Sequence, residues 1–254
     1  MSKMKERAGL GRRVCPVIFL LDTSGSMFGA PIGAVNEAME GVLKELISMN
    51  EDNADNEINI AIMSFGKEEN GNDVKWVTGD DGLKKPEEVK WCDLDADDLT
   101  PMGAAFGMLN RALSVSRGFM NRASGSVAPV LFLLSDGEPS DDYQNKLSEL
   151  KENNWYKIAA RVAIGYGESN DAILAEFTGN RETVLHTNDP AALKKLIKFV
   201  TITSSTVASK GTAATDSGDV DSQDGLDDMT SQLAEEFTSN PPTLAADDGD
   251  FGDW

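Results

Sequence analysis

Histidine is all but missing from this 254-residue chain and cysteine is scarce: His186 stands alone, and Cys15 and Cys92 lie far apart. That excludes a metal centre built on imidazole and thiolate, and it excludes a disulfide framework. The two cysteines read as reduced thiols of a cytoplasmic protein. A Ser–His–Asp nucleophile set has only His186 to draw on, at an expected strand end, where a satisfied structural histidine is the ordinary reading. Positive charge is short as well, with 23 Lys and Arg against 43 Asp and Glu. A phosphate backbone needs a basic footprint, so nucleic acid is not the partner. Neither G-x-x-x-x-G-K-[ST] nor G-x-G-x-x-G occurs, which removes the common phosphate-cradling loops.

No apolar run approaches the ~20 residues that span a bilayer. The basic start "MSKMKERAGLGRRV" and the apolar "VCPVIFLL" have the outline of a signal peptide. The run is short, however, is interrupted by Pro16, ends at Asp22 and lacks a small-residue cleavage site. The expectation is a flexible basic leader over residues 1–13, with a first strand behind it and no membrane partner.

What the chain does have is 40% hydrophobic residues in short β-branched runs that alternate with longer helical patterns. Strands are expected at 14–21, 58–65, 74–77, 130–135, 158–164 and 183–186. Helices are expected at 34–49, 104–116, 143–153, 171–177 and 191–200. Continuous apolar strands are buried on both faces, and strand–helix alternation builds a doubly wound α/β sheet. The expected fold is a mostly parallel central sheet with helices on both faces and one short antiparallel edge strand at 74–77, spanning residues 14–201. Such sheets bind ligands outside the carboxyl ends of their strands.

Beyond this domain the composition changes. From Ser205 to Trp254 there are 12 acidic residues against Lys210 alone, a net charge of −11 within a total of −20. Residues 202–254 are expected to form a disordered acidic Ser/Thr-rich tail, with nothing in its small polar stretches to bury. Within it, Leu226, Met229, Leu233 and Phe237 fall at helical spacing and mark a short amphipathic segment over 226–237. The final "DDGDFGDW" reads either as a solvating end or as a docking peptide. The tether is also long enough for a tail aspartate to reach the domain's own site.

Three strand ends and loops concentrate oxygen donors. The first strand runs into Asp22, Thr23, Ser24, Gly25 and Ser26; the fourth runs into "LLSDGEPSDD" with Asp136; the loop "DDLTPMGAA" carries Thr100. Carboxylates and hydroxyls without His or Cys are the hard donor set of Mg²⁺, which needs few protein ligands because it keeps waters. Gly25 supplies backbone freedom for a turn that aims Ser24 and Ser26 the same way. A capping role explains one such residue but not matching residues on two other segments. Asp141 and Asp142 either rim this site or charge the first turn of the next helix. Met27 and Phe28 read either as partner contacts or as packing under the loop.

D-x-S-x-S after a first strand, a threonine in "TPMG" and an aspartate in "SDGEPSDD" resemble the von Willebrand factor type A domain with its metal-ion-dependent adhesion site. The resemblance covers about residues 14 to 200. It implies that Ser24, Ser26 and Thr100 give hydroxyl oxygens to the metal, and that Asp22 and Asp136 bind it directly or through water. Thr23 is not a ligand in this pattern. One position is left for an acidic side chain of a partner protein. The resemblance implies Mg²⁺, with Mn²⁺ as a substitute. "LLDTSGSM", "G-x-P-I" and "DGEPSDDYQ" look like a bacterial TerY-like subgroup, associated with tellurium resistance, which implies a protein kinase and a PP2C-type phosphatase as partners in stress or defence signalling.

Two other functions compete. An adaptor subunit for a MoxR-type AAA+ ATPase is one, since such domains also serve there. A Mg²⁺-dependent phosphatase-like enzyme is the other, but a nucleophilic aspartate at Asp22 needs a second carboxylate two residues on, and Ser24 stands there. The reading is a non-catalytic, metal-dependent protein-binding module.

Overall fold

The structure, a computed structural model, describes residues 12–54, 56–66, 74–116, 118–120, 125–136, 138–211 and 228–239. Most of the expected leader (1–11) and most of the expected tail (212–227 and 240–254), including "DDGDFGDW", lie outside the described residues. Where the leader expectation does meet the structure, Arg12 and Arg13 are anchored. Arg12 donates to the carbonyls of Asn50 and Asn53 and to Glu57, and Arg13 opens the first strand.

That strand, β1 (Arg13–Asp22), is buried at every residue after the first. Its side chains alternate between two cores, as the period-2 geometry of a strand requires. Cys15, Val17, Phe19 and Leu21 face one core, and Val14, Ile18 and Leu20 face the other. Around it stand β2 (Asn56–Phe65), β3 (Val74–Trp76), β4 (Val130–Ser135), β5 (Ala160–Tyr166) and β6 (Val184–Thr187), in the order β3-β2-β1-β4-β5-β6. All pairs are parallel except β2 with the edge strand β3. Pro16 is tolerated inside a central strand because of where it falls. The ladder to β4 begins only at Val17, and the backbone groups of Val14 already face that side through Gly125 and Val127. The N–H that Pro16 lacks therefore points to a stretch with no ladder partner.

Helices cover both faces. The first core takes α1 (Ala30–Asp52) and α6 (Pro190–Gly211); the second takes α2 (Met102–Ala112), α3 (Tyr143–Lys151) and α5 (Asp171–Thr178). The helix expected at 143–153 stops early. Asn153 accepts from the Trp155 N–H and starts a separate turn, α4 (Asn154–Lys157), which delays β5 to Ala160.

The expected end of order at residue 201 needs correction. Helix α6 continues to Gly211, with Thr201, Ser204 and Ser205 buried. Within hydroxyl-rich "TITSST" two threonines bond back to the preceding turn, Thr201 Oγ1 to the Ile197 carbonyl at 2.8 Å and Thr206 Oγ1 to that of Ile202 at 2.8 Å, so their hydroxyls are compatible with a continued helix. The amphipathic segment is also helical, as α7 (Asp228–Ser239). It lies against α6 with Ala234 and Phe237 buried, and the Phe237 ring sits 5.5 Å from that of Phe199.

Phe237→Ala removes that anchor. Amide exchange in α7 should then rise to near the unprotected rate while the central strands keep their protection; unchanged protection in α7 would show that Phe237 does not hold it.

Candidate functional site

The strand order reverses direction at β1, whose neighbours are β2 on one side and β4 on the other. The crevice between the carboxyl ends of β1 and β4 is the place where such sheets present ligand-binding groups. Asp22 is the last residue of β1, and Asp136 follows the last residue of β4.

Asp22 is fully buried. One carboxylate oxygen accepts the Ser24 N–H at 2.8 Å and the other accepts the Ser135 hydroxyl at 2.6 Å. Leu21 pairs with Leu134 in the ladder, so Ser135 stands beside Asp22 by register alone. Beyond Ser24 the chain makes a single 3₁₀ turn over Gly25–Met27, closed by the Phe28 N–H on the Gly25 carbonyl. This turn brings the Ser24 and Ser26 hydroxyls within 3.1 Å of each other. Both donate to the same oxygen of Asp136, Ser26 at 2.7 Å and Ser24 at 3.4 Å. Four of the five expected residues, Asp22, Ser24, Ser26 and Asp136, thus converge through direct bonds.

The fifth, Thr100, is buried, and its backbone is tied to the same loop. The Thr100 N–H donates to Ser140 Oγ at 3.1 Å, and the Ser140 N–H donates to the Thr100 carbonyl at 2.9 Å. The preceding segment is fastened to the turn after β1, with Asp97 N–H on the Thr23 carbonyl at 2.9 Å and Gly25 N–H on the Asp98 carbonyl at 3.3 Å. Thr23 is used structurally, since its N–H also donates to the Phe65 carbonyl. Gly66 runs so close that a Cβ there would lie 2.5 Å from the Thr23 carbonyl oxygen. Among the described residues no cluster of three or more His, Cys, Asp or Glu is placed to hold a metal. A cation in this crevice therefore depends on hydroxyl donors beside the two carboxylates. The donor set, all hard oxygen, fits Mg²⁺ or Mn²⁺.

Both carboxyls are raised above the ordinary carboxylate range. Burial pushes Asp22 up to about 6 despite its bonds from Ser135 and Ser24, and burial likewise raises Asp136 against the Ser26 and Ser24 hydroxyls.

The two readings of the adjacent residues separate. Met27 is fully buried whereas Phe28 is 77% exposed. Asp142 accepts the Asn145 N–H at the start of α3, as a helix-charging residue does. Asp141 caps a different helix: its oxygens accept the N–H groups of Gly103 at 2.7 Å and Ala104 at 2.8 Å in α2. Sequence reasoning missed this role and that of Ser135. A hydroxyl closing an otherwise apolar strand was the available signal for Ser135.

The fold also assembles a serine, a histidine and an aspartate that lie apart in sequence. Ser169 Oγ and Asp171 Oδ1 both face His186 Nδ1, at 3.3 and 2.9 Å, and Nε2 is occupied by the Gly167 carbonyl at 3.0 Å and Asn188 Oδ1 at 3.1 Å. With serine and aspartate on one nitrogen and acceptors on the other, the ring has no free nitrogen to take a serine proton. The bond to Asp171 chiefly raises the His186 pKa. The ring is structural.

The sign of the pH dependence follows from Asp22. Its folded value lies above its unfolded one, so the unfolded chain releases the proton first as pH rises. Cation-free stability should fall between roughly pH 4 and about 6 and stay lowered above that. Asp22→Asn removes the charge and keeps an acceptor for the Ser24 N–H. In urea unfolding without cation it should be more stable than the parent at neutral pH by a few kcal/mol, with the gain gone near pH 4. A loss of stability at neutral pH contradicts the burial cost.

The von Willebrand factor type A domain pattern matches residues 17–199. Among solved structures, the chain is similar to proximal thread matrix protein 1 from the mussel byssus, at 18% identity and a TM-score of 0.51, over 75% of this chain and 48% of that one; that crystal is described as having a zinc-occupied MIDAS motif. It is similar to the vWF domain of the type V pili tip protein Mfa5 from Porphyromonas gingivalis, at 12% identity and a TM-score of 0.54, over 76% and 95%. It also resembles the ArnB paralog VWA2 from Sulfolobus acidocaldarius, at 19% identity and a TM-score of 0.51, over 72% and 44%. The chain spans about half the length of the mussel protein it matches. No curated protein matched it. No described helix is long and apolar enough to cross a membrane. At these identities the solved structures speak for the fold, and the pattern match over most of the chain speaks for the family: the chain belongs to the von Willebrand factor type A domain family.

Proposed function

We propose that this domain holds a divalent cation, Mg²⁺ or Mn²⁺, at Asp22, Ser24, Ser26, Thr100 and Asp136, and uses it to capture an acidic side chain of a partner protein without catalysis. The observation that carries the reading is the convergence of the Ser24 and Ser26 hydroxyls on one Asp136 oxygen, beside the buried Asp22 carboxylate. Two carboxyls and a set of hydroxyls, all hard oxygen donors, make a good cation site. When bound, the cation supplies a centre of positive charge that a carboxylate from outside can reach. The chain's own part is to keep the hydroxyls converged and the charge of Asp22 buried beneath them.

The surroundings favour a protein as the ligand. Among the described residues only Phe28, Leu99 and Val115 are large hydrophobics with substantial exposure, and two of them flank the site. Phe28 follows Ser26 by two residues, and Leu99 directly precedes Thr100. An exposed apolar pair beside a charged centre is the make-up of an interface anchor. For the partner's identity, the TerY-like resemblance supports a protein kinase and a PP2C-type phosphatase of a cytoplasmic stress or defence system. A MoxR-type ATPase is the alternative.

Calorimetric titration should show one saturable Mg²⁺ site in the parent and none in Asp22→Asn or Asp136→Asn. Saturable binding of equal affinity in both variants sinks the assignment. Affinity purification from the native host with and without EDTA, read by mass spectrometry, then tests the partners. Mg²⁺-dependent capture of a kinase or phosphatase that Phe28→Ser weakens without changing cation affinity is the expected result. Capture indifferent to EDTA contradicts it.

A further inference from the structure

Thr100 is the one candidate ligand that no strand end or turn of its own holds. It lies near the end of a run of irregular backbone, residues 89–101, and fixing such a residue costs backbone entropy. The structure shows what meets that cost. Two bonds join Thr100 to Ser140, backbone to side chain at 3.1 Å and backbone to backbone at 2.9 Å. Two more join Asp141 to the first turn of α2, at 2.7 Å to Gly103 and 2.8 Å to Ala104.

The second pair does what the local sequence does not. The residue before α2 is Pro101, which offers no side-chain cap; the Met102 N–H bonds back to the Thr100 carbonyl at 2.8 Å, and those of Gly103 and Ala104 need an acceptor from elsewhere. A carboxylate from 37 and 38 residues away fills the role, charge-assisted and placed at the positive end of the helix. Gly103 is the residue that permits it. A Cβ there would lie 2.9 Å from the Asp142 carbonyl oxygen and 3.0 Å from both Asp141 carboxylate oxygens. The neighbouring Asp142 caps α3 instead, so two consecutive aspartates pin this loop between two helices. The same loop begins at Asp136.

We propose that Asp141 is a positioning residue: by clamping the start of α2 to the loop that carries Asp136, it sets Thr100 in the cation site. This rests on the reading of Thr100 as a ligand given above. The bonds of Ser140 to Thr100 form the inner half of the clamp and those of Asp141 to Gly103 and Ala104 the outer half. The segment bearing Thr100 and the loop bearing Asp136 then move as one piece.

A double-mutant cycle read by Mg²⁺ calorimetry tests it, with each variant shown to be folded by circular dichroism at the working temperature. Asp141→Ala should weaken Mg²⁺ binding by about tenfold, the size of effect that loss of an outer partner of a ligand gives. In the Thr100→Ala background the same change should do almost nothing, because the residue it positions is gone. No loss in the parent background overturns the proposal. So does an equal loss in both backgrounds, which would mean that the Asp141 charge or general stability is responsible. If Asp141→Ala does not fold, Gly103→Ala takes its place and should weaken binding likewise. Alanine ordinarily strengthens a helix relative to glycine, so unimpaired binding in Gly103→Ala overturns the clamp.

A second measurement separates the clamp from the cation reading. In cation-free protein, Asp141→Ala should speed amide exchange at Gly103 and Ala104 and leave that of Leu109 in the same helix unchanged. Unchanged exchange at Gly103 and Ala104 overturns the clamp. A parent with no saturable Mg²⁺ binding overturns the ligand reading, and the exchange result still decides the clamp.

Discussion

A carboxylate with no solvent exposure at the end of a central strand is the constraint around which this domain is arranged. Asp22 sits where β1 leaves the sheet, and its burial pushes its pKa up to about 6. Burying a charge is costly unless it is hydrogen-bonded or coordinated. The chain supplies two donors, the Ser24 N–H and the Ser135 hydroxyl, and they offset only part of that cost. The hydroxyls above it gather on a second buried carboxyl, Asp136, rather than on Asp22 itself. Under the proposed function a cation would relieve both carboxyls together, which gives a thermodynamic sense to keeping them desolvated. Stability and binding are then linked, because a ligand of the folded state alone stabilises it.

Much of this was legible from residue types. Ile18–Leu21 announce a buried strand, and carboxylates and hydroxyls directly after such strands have no packing reason to be there. The mostly parallel sheet, its short antiparallel edge strand and the helices on both faces followed from strand–helix alternation, whereas the strand order came only with the structure. Where the reading failed, tertiary pairing decided. Asp141 looks like a residue of the α3 first turn, yet it caps α2, and nothing in linear spacing shows which helix end it will meet. Ser135 looks like the fading end of an apolar run until the β1–β4 register sets it beside Asp22. The C-terminal boundary failed for a chemical reason. Serine and threonine after Val200 look like linker, but threonine hydroxyls bond back to the preceding turn and the helix continues to Gly211.

The chain's only histidine shows why residue inventory alone is a weak guide to catalysis. Ser169, His186 and Asp171 stand within hydrogen-bond reach, yet both partners crowd one ring nitrogen and the other is taken by Gly167 and Asn188. The arrangement locks the β5–α5 loop to the end of β6 and leaves no base for a nucleophile. By contrast, the crevice at β1 and β4 offers oxygen donors with exposed Phe28 and Leu99 at its edge. Under the function proposed above its chemistry would be capture, with specificity carried by the rim rather than by the donor set.

The central claim is that a cation is held by this crevice and not by the many other acids of a chain with a formal charge of −20. Substoichiometric Mn²⁺ added to the isotopically labelled full chain tests it most directly, because paramagnetic broadening marks the residues around the ion. The account expects the amide signals of residues 22–26, 100 and 136 to broaden first, with Asp22→Asn abolishing the effect. Broadening that starts instead in the acidic loop 93–98 or in residues 216–253, and survives Asp22→Asn, would contradict it.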